Sequence, residues 1–177
     1  MNVGKKFEDQ FRKSIPDYCL LIRLPDPPQS FTQREDTKFS KKNPCDFIMF
    51  DTKNKDLYCI ELKTTKSKSI SFEKLDDLSS SNRMIHKHQI LGLQKFSEFE
   101  YVTGCFILNF RDEKNNMERT YFQDIKDFLK MYKDIDKHSF NELDLLTHNA
   151  IKINGERKRI NYKWNIDELL SRLKGGK

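Results

Sequence analysis

The sequence predicts an α/β or α+β sandwich, a central mixed sheet flanked by helices, and three observations carry that expectation. Apolar residues recur at helical spacing at the start of the chain. Several short apolar runs are separated by clusters of turn-forming residues. Helical patterns then return late in the chain.

The elements follow in order. Val3, Phe7 and Phe11 stand four apart with charges between them, which predicts a helix over residues 3–15 ended by Pro16. The apolar run from Tyr18 to Leu24 reads as a strand. Residues 25–45 hold Pro25, Pro27, Pro28 and Pro44 among many charges and read as an extended, stalk-like excursion. A segment of that length in a compact fold is usually functional or mobile. Asp46–Phe50 and Leu57–Lys63 read as a hairpin closed by the polar run Asp51–Asp56. A helix is expected at 84–98, strands at Tyr101–Phe110 and Arg119–Phe122, and helices at Asp124–Lys133 and Asn141–Asn149. Asn154-Gly155, a strong turn dipeptide, centres a predicted hairpin over Ile151–Tyr162, and Ile166–Leu173 closes the chain as a helix. The whole, residues 1–177, reads as a single domain.

Composition narrows the class. Charged residues make up 34% of the chain and hydrophobic residues 36%, with 14 Phe and 6 Tyr, which is no disordered composition. A net charge of +6 points to an anionic partner, nucleic acid first among them. Cys19, Cys45, Cys59 and Cys105 form no CxxC pair, so they read as reduced thiols beside apolar residues rather than as zinc ligands. No apolar leader and no long apolar run is present, so the expectation is a cytoplasmic protein with no membrane span.

The chemistry concentrates on the first hairpin. Side chains alternate faces along a strand. Tyr58, Ile60 and Leu62 therefore share one apolar face, and Leu57, Cys59, Glu61 and Lys63 share the other. A turn centred near residues 53–54 sets Asp46 opposite about position 61. Two carboxylates and one ammonium then converge at one end of an apolar hairpin. Paired carboxylates repel unless a cation lies between them. Hard oxygen ligands of this kind suit Mg²⁺, which keeps several waters and bridges to phosphate. Such a set can hydrolyse a phosphodiester, with Lys63 positioning water or neutralising transition-state charge.

The residues Asn43-Pro44-Cys45-Asp46-Phe47, followed by Cys59-Ile60-Glu61-Leu62-Lys63, resemble the signature of the PD-(D/E)xK nucleases, whose fold is restriction-endonuclease-like. More closely, the chain resembles the RecU-type Holliday junction resolvases. Glu8 on the first helix, Ser69 to Phe72 after the ExK strand, His88-Gln89 on the next helix, Gly104 to Leu108, Tyr121-Phe122 and Ile160 to Tyr162 follow that family's pattern. The likeness extends over most of residues 3–173. It implies a homodimeric, Mg²⁺-dependent endodeoxyribonuclease of recombination or repair, with Mn²⁺ as a substitute, that acts on four-way DNA junctions.

On that likeness Asp46 and Glu61 bind the metal, Gln89 completes its shell through its carbonyl or a water, and Lys63 stabilises the transition state. Glu8 either supports the site or is a solvated helix residue. Pro44 stands where the family has a metal-site threonine, and the interval from Glu61 to Gln89 is longer than in the family. The DNA contacts implied are Arg34, Lys38, Lys41 and Lys42 in the 25–45 excursion, Lys66, Lys68, Arg83 and Lys87 near the site, and His88. The excursion also reads as a plain solvated loop, and the basic run Arg157-Lys158-Arg159 as either a second DNA face or a solubilising edge. Three rivals stand beside the resolvase. One is a duplex or flap nuclease of the same fold, restriction-like or phage-processing. Another is a DNA-binding relative without catalysis, and the last is a protein-interaction module whose ExK is fortuitous.

Overall fold

In the computed structural model, residues 2–25, 43–76, 82–159 and 161–175 are described. Helix α1 (Val3–Arg12) leads into strand β1 (Cys19–Arg23). The hairpin strands are β2 (Phe47–Asp51) and β3 (Asp56–Thr65), followed by the short β4 (Ser69–Ser71). Then come α2 (Lys87–Phe96), β5 (Val102–Asp112), β6 (Met117–Asp124) and α3 (Ile125–Asp134). The chain finishes with β7 (Ser139–Asn141), α4 (Glu142–Thr147), β8 (Ile151–Ile153), β9 (Gly155–Lys158), β10 (Asn161–Trp164) and α5 (Ile166–Gly175).

Six strands form one mixed sheet in the order β1-β2-β3-β5-β6-β8. β3 and β5 run parallel, and every other neighbour in that sheet is antiparallel. A parallel pair needs a long crossover, and α2 lies in it. Helices flank the sheet, and each face has its own core. Phe7 and Phe11 of α1 and Leu169 and Leu170 of α5 pack with Met49, Tyr58, Ile60 and Ile107. On the other side Ile90 and Leu93 of α2 and Phe128 and Met131 of α3 pack with Cys59, Phe106 and Leu108. The alternation expected along β3 is therefore what divides the two cores.

The hairpin register is the one the turn length requires. Phe47 pairs with Ile60, and Asp51 pairs with Asp56 around a tight turn in which Lys55 takes a left-handed conformation, φ 63°. The buried Asp51 carboxylate satisfies that turn, accepting from the Lys53 backbone N–H at 3.0 Å and from Asn54 Nδ2 at 2.6 Å.

Three local expectations change. The helix expected from residue 84 begins at Lys87, because Ile85 instead bridges to Phe72 and is fully buried. The hairpin expected around Asn154-Gly155 lies further on: β8 pairs with β6, and β9 pairs with β10. Gly155 has no positive φ; a Cβ there would sit 2.6 Å from the Tyr162 ring, so the glycine makes room for an aromatic rather than for a turn. The pairing of β4 with β7 into a small second sheet was not read from the sequence. That sheet brings Phe72 against Phe128, Tyr132 and Phe140, with ring centroids 5.6–6.0 Å apart.

No helix among the described residues is long and apolar enough to cross a membrane. Phe72 is fully buried at the centre of that aromatic group, so Phe72→Ala should cost about 3–5 kcal/mol in urea unfolding, and Phe72→Leu clearly less. Equal losses for both variants would show that ring packing does not hold the small sheet to α3.

Candidate active site

Asp46 lies one residue before β2, and its backbone is already in the ladder. Its N–H donates to the Ile60 carbonyl at 3.0 Å, and its own carbonyl accepts from Leu24 N–H at 2.9 Å. Extending the Phe47–Ile60 register by one step sets Asp46 beside Glu61. The Asp46 carboxylate is fixed by the Leu62 backbone N–H, which donates to Oδ2 at 2.8 Å.

Glu61 is buried at 3% exposure. Its Oε1 accepts from Lys63 Nζ at 2.8 Å and also from the Gln89 side-chain amide. Of the hydrogen bonds among the described residues, none goes to Glu61 Oε2 or Asp46 Oδ1. Those two oxygens are what the pair has left to offer a ligand.

Desolvation pushes the Glu61 carboxyl up to about 7 and the Asp46 carboxyl upward as well. Lys63 opposes the shift at both, and Leu62 N–H opposes it at Asp46. Asp46 raises Glu61 further through like-charge repulsion, and Glu8 raises both. So Glu8 faces the pair from α1, though it hydrogen-bonds to neither; its Oε2 accepts from Arg23 Nε at 3.1 Å. Arg23 in turn favours the charged form of Asp46.

Gln89 lies where the likeness puts it, with its amide NH₂ rather than its carbonyl toward Glu61. It is the third residue of α2, and its Oε1 accepts from the His86 backbone N–H at 2.9 Å, closing the helix N-terminus. With the carbonyl so engaged, the amide NH₂ faces Glu61. Gln89 therefore orients Glu61 and does not present an oxygen. Two further residues belong to this end of the helix and were not read from the sequence. Glu73 accepts from the Lys87 backbone N–H at 2.7 Å and pairs with His86 Nδ1 at 2.9 Å. A carboxylate opposite the N-terminal N–H groups of a helix is the arrangement the backbone dipole favours.

Pro44 also gains a role. Gly92 of α2 lies under it, and a Cβ on Gly92 would meet Pro44 Cβ at 2.7 Å. The proline thus seats the segment before Asp46 on the same helix that carries Gln89.

A cleft of about 400 Å³ opens beside these groups, lined by Glu8, Lys63, Thr64, Met84 and Arg111 among others. Of the expected DNA contacts, Lys66 and Lys68 are exposed and line a separate groove of about 720 Å³ with Lys114 and Arg119. Arg83 is half-buried. Lys87 Nζ donates to the Leu75 carbonyl. The His88 ring stacks on His86 at 5.6 Å. Arg34, Lys38, Lys41 and Lys42, with most of the 25–45 excursion, lie outside the described residues. Cys45 and Cys59 are buried next to the site as free thiols in mutual hydrogen-bonding contact, which pushes the Cys45 thiol well up.

Among the described residues no three or more His, Cys, Asp and Glu side chains gather as a cation cage. The two carboxylates suit Mg²⁺ on chemical grounds, since Mg²⁺ commonly takes one or two carboxylates and keeps its remaining waters. No family model matches the chain. The chain is similar to the SPbeta prophage-derived uncharacterized protein YotM of Bacillus subtilis (strain 168). The two are 29% identical over 185 aligned positions, covering 97% of this chain and 87% of the relative.

Two outcomes test the geometry. The folded pKa of Glu61 lies above the ordinary value of about 4.3, so burial favours its protonated form; that contribution is complete below about pH 4 and lost as pH rises through about 7. In chelating buffer the wild type should lose roughly 2–3 kcal/mol more than Glu61→Gln between pH 5 and 8, read by urea unfolding at each pH. Parallel pH profiles would mean that Glu61 ionises freely. Gly92→Ala, a change that stabilises an ordinary helix by about 1 kcal/mol, should instead destabilise by about 1–2 kcal/mol, because Pro44 has to move. A gain in stability would show that Pro44 does not seat on α2.

Proposed function

We propose that the chain is a Mg²⁺-dependent endodeoxyribonuclease of the PD-(D/E)xK fold, a single nuclease domain resembling the RecU-type Holliday junction resolvases. The observation that carries this reading is the register of β2 and β3, which brings Asp46 alongside Glu61, with Lys63 Nζ 2.8 Å from the Glu61 carboxylate. The mixed six-stranded sheet, with the ExK strand parallel to β5 and helices on both faces, is compatible with that fold.

In the proposed reaction Asp46 and Glu61 would hold the cation through Asp46 Oδ1 and Glu61 Oε2, which accept no hydrogen bond among the described residues. Once bound, the cation supplies Lewis-acid polarisation of the scissile phosphate. Leu62 N–H and Gln89 keep the two carboxylates in place, so the ligands need no reorganisation. Lys63 is the movable charge. In the resting site it neutralises Glu61; with cation and phosphate present it is released to orient the attacking water or to meet the charge growing on the phosphate. Glu8, held by Arg23, is within electrostatic reach of both acids and sets the negative potential of the site. Lys66 and Lys68 bind backbone phosphates without regard to sequence.

Symmetric cutting of a four-way junction requires two such sites related by a two-fold axis, hence a homodimer. A duplex or flap nuclease of phage DNA processing uses the same chemistry, and the likeness to a prophage-derived protein favours keeping it as the second reading.

The test is cleavage of labelled four-way junction, linear duplex and single strand, with Mg²⁺ or with chelator. Metal-dependent paired nicks confined to the junction are expected. Equal cutting of duplex would overturn junction specificity, and binding without cutting of any substrate would overturn the nuclease. Asp46→Ala and Glu61→Ala should each lower turnover at least about 100-fold while junction binding stays within a few fold. Near-normal turnover in either variant would remove these residues from the site.

A further inference from the structure

The groove of about 720 Å³ that Lys66 and Lys68 line is built from three segments distant in sequence: the connection from β3 to β4, the β5–β6 turn, and the start of α4. Each is pinned. Ser67 N–H donates to Thr65 Oγ1 at 2.9 Å, and β4 then pairs with β7, which runs directly into α4. The β5–β6 turn is closed by the Asp112 carboxylate, which accepts from Asn115 N–H at 3.1 Å and from Asn115 Nδ2 at 2.8 Å.

The balance of charge selects what the groove can hold. Its acids are Asp112, Glu113 and Glu142. Arg111 Nη1 donates to Glu113 at 2.6 Å, and Arg119 meets Glu142 with Nε at 2.7 Å and Nη2 at 2.8 Å. Those two pairs cancel. The ammonium groups of Lys66, Lys68 and Lys114 are exposed and make no hydrogen bond or ion pair among the described residues. Against them stands Asp112 alone, so the uncompensated charge is positive and concentrates anions. Leu143 of α4, 71% exposed, adds an apolar surface to the same lining. A sugar–phosphate strand offers the matching alternation of anionic oxygens and apolar deoxyribose.

The groove also lies next to the candidate site. Arg111 lines both it and the cleft beside Lys63. Lys66 follows Lys63 by three residues at the end of β3, about 10 Å along an extended chain and roughly three nucleotides of a DNA strand.

We propose that this groove carries the DNA strand past the cleavage point, with Lys66, Lys68 and Lys114 on phosphates roughly three nucleotides from the scissile bond and Leu143 against a deoxyribose. The β5–β6 turn is then part of the DNA interface, and the substrate needs an arm of that length on one side of the cut. The inference rests on the nuclease reading for the position of the scissile bond.

Binding of the full chain to labelled junction and duplex is measured in chelator at several salt concentrations. Lys114→Ala should weaken binding several-fold and reduce the slope of log Kd against log salt by about one. Lys114→Arg should keep the slope, and Lys133→Ala, an exposed change on α3, should leave both quantities unaltered. Leu143→Ser should weaken binding about threefold at an unchanged slope. Thermal melts report folding of every variant. Methylphosphonates, which remove the charge of one phosphate, are then placed singly along the strand. One roughly three nucleotides from the cut should weaken wild-type binding and leave Lys114→Ala unaffected. An unchanged slope in folded Lys114→Ala would overturn the groove, as would methylphosphonate effects equal in wild type and variant at every position. Polyglutamate competing as well as single-stranded DNA of equal charge would overturn it in favour of an acidic protein partner. A reduced slope in Lys114→Ala, with no substrate cleaved in Mg²⁺, would support the groove and overturn the nuclease reading alone.

Discussion

The pairing register of β2 on β3 is the constraint from which the rest of the site follows. Phe47 faces Ile60, and so Met49, Tyr58 and Ile60 enter the core beneath α1 and α5, while Cys59 enters the core beneath α2 and α3. A slip of one residue would exchange those faces and lose both cores at once. The same register carries Asp46 to Glu61, so the energy that prevents the slip also holds two like charges together. The tight turn closed by Asp51 and Asp56, with its carboxylate-capped backbone, fixes the register from the other end.

Helix α2 is the second support, and it acts at three points along one face. Its first turn holds Gln89 against Glu61, its middle receives Pro44 on Gly92, and Ile90 and Leu93 close the core. Position 44 illustrates how a departure from a family's pattern acquires meaning from its contacts. A proline there offers no hydroxyl, but its ring seats the chain on the helix two residues before Asp46, adding packing to the hydrogen bonds that hold Asp46. Gln89 shows a similar trade. An amide whose carbonyl is spent on a helix N-terminus can only donate toward the site, which makes it a brace for a carboxylate.

The hairpin was legible in the sequence because three local signals agreed: strand alternation in Leu57–Lys63, a polar turn of defined length, and apolar runs on both sides. From these alone Asp46, Glu61 and Lys63 could be set together. What was not legible depended on contacts distant in sequence. Met84 and Ile85 continue the apolar pattern of α2, yet Ile85 leaves the helix to bridge Phe72. Asn154-Gly155 has turn chemistry, but Gly155 answers to the Tyr162 and Trp164 rings. Glu73 and His86 are ordinary polar residues until the fold joins them at the start of α2. Nor does a helical pattern announce that Lys87 Nζ bonds the Leu75 carbonyl.

Lys63 ties these levels together. Two half-buried or buried acids facing each other are unstable as a charged pair in a desolvated site, and their raised pKa values express that. Arg23 acts on Asp46 alone, whereas Lys63 acts on both, on a flexible stem and on the same strand face as Glu61. A lysine so placed can yield to a divalent ion, because its ammonium is a point charge that gives up one hydrogen bond at a time, where an arginine fork would be held by two. Under the proposed reading it would carry its charge toward the cleft that it already lines. The side chain that makes the pair of carboxylates tolerable in the folded protein would then be the one that meets an anion there.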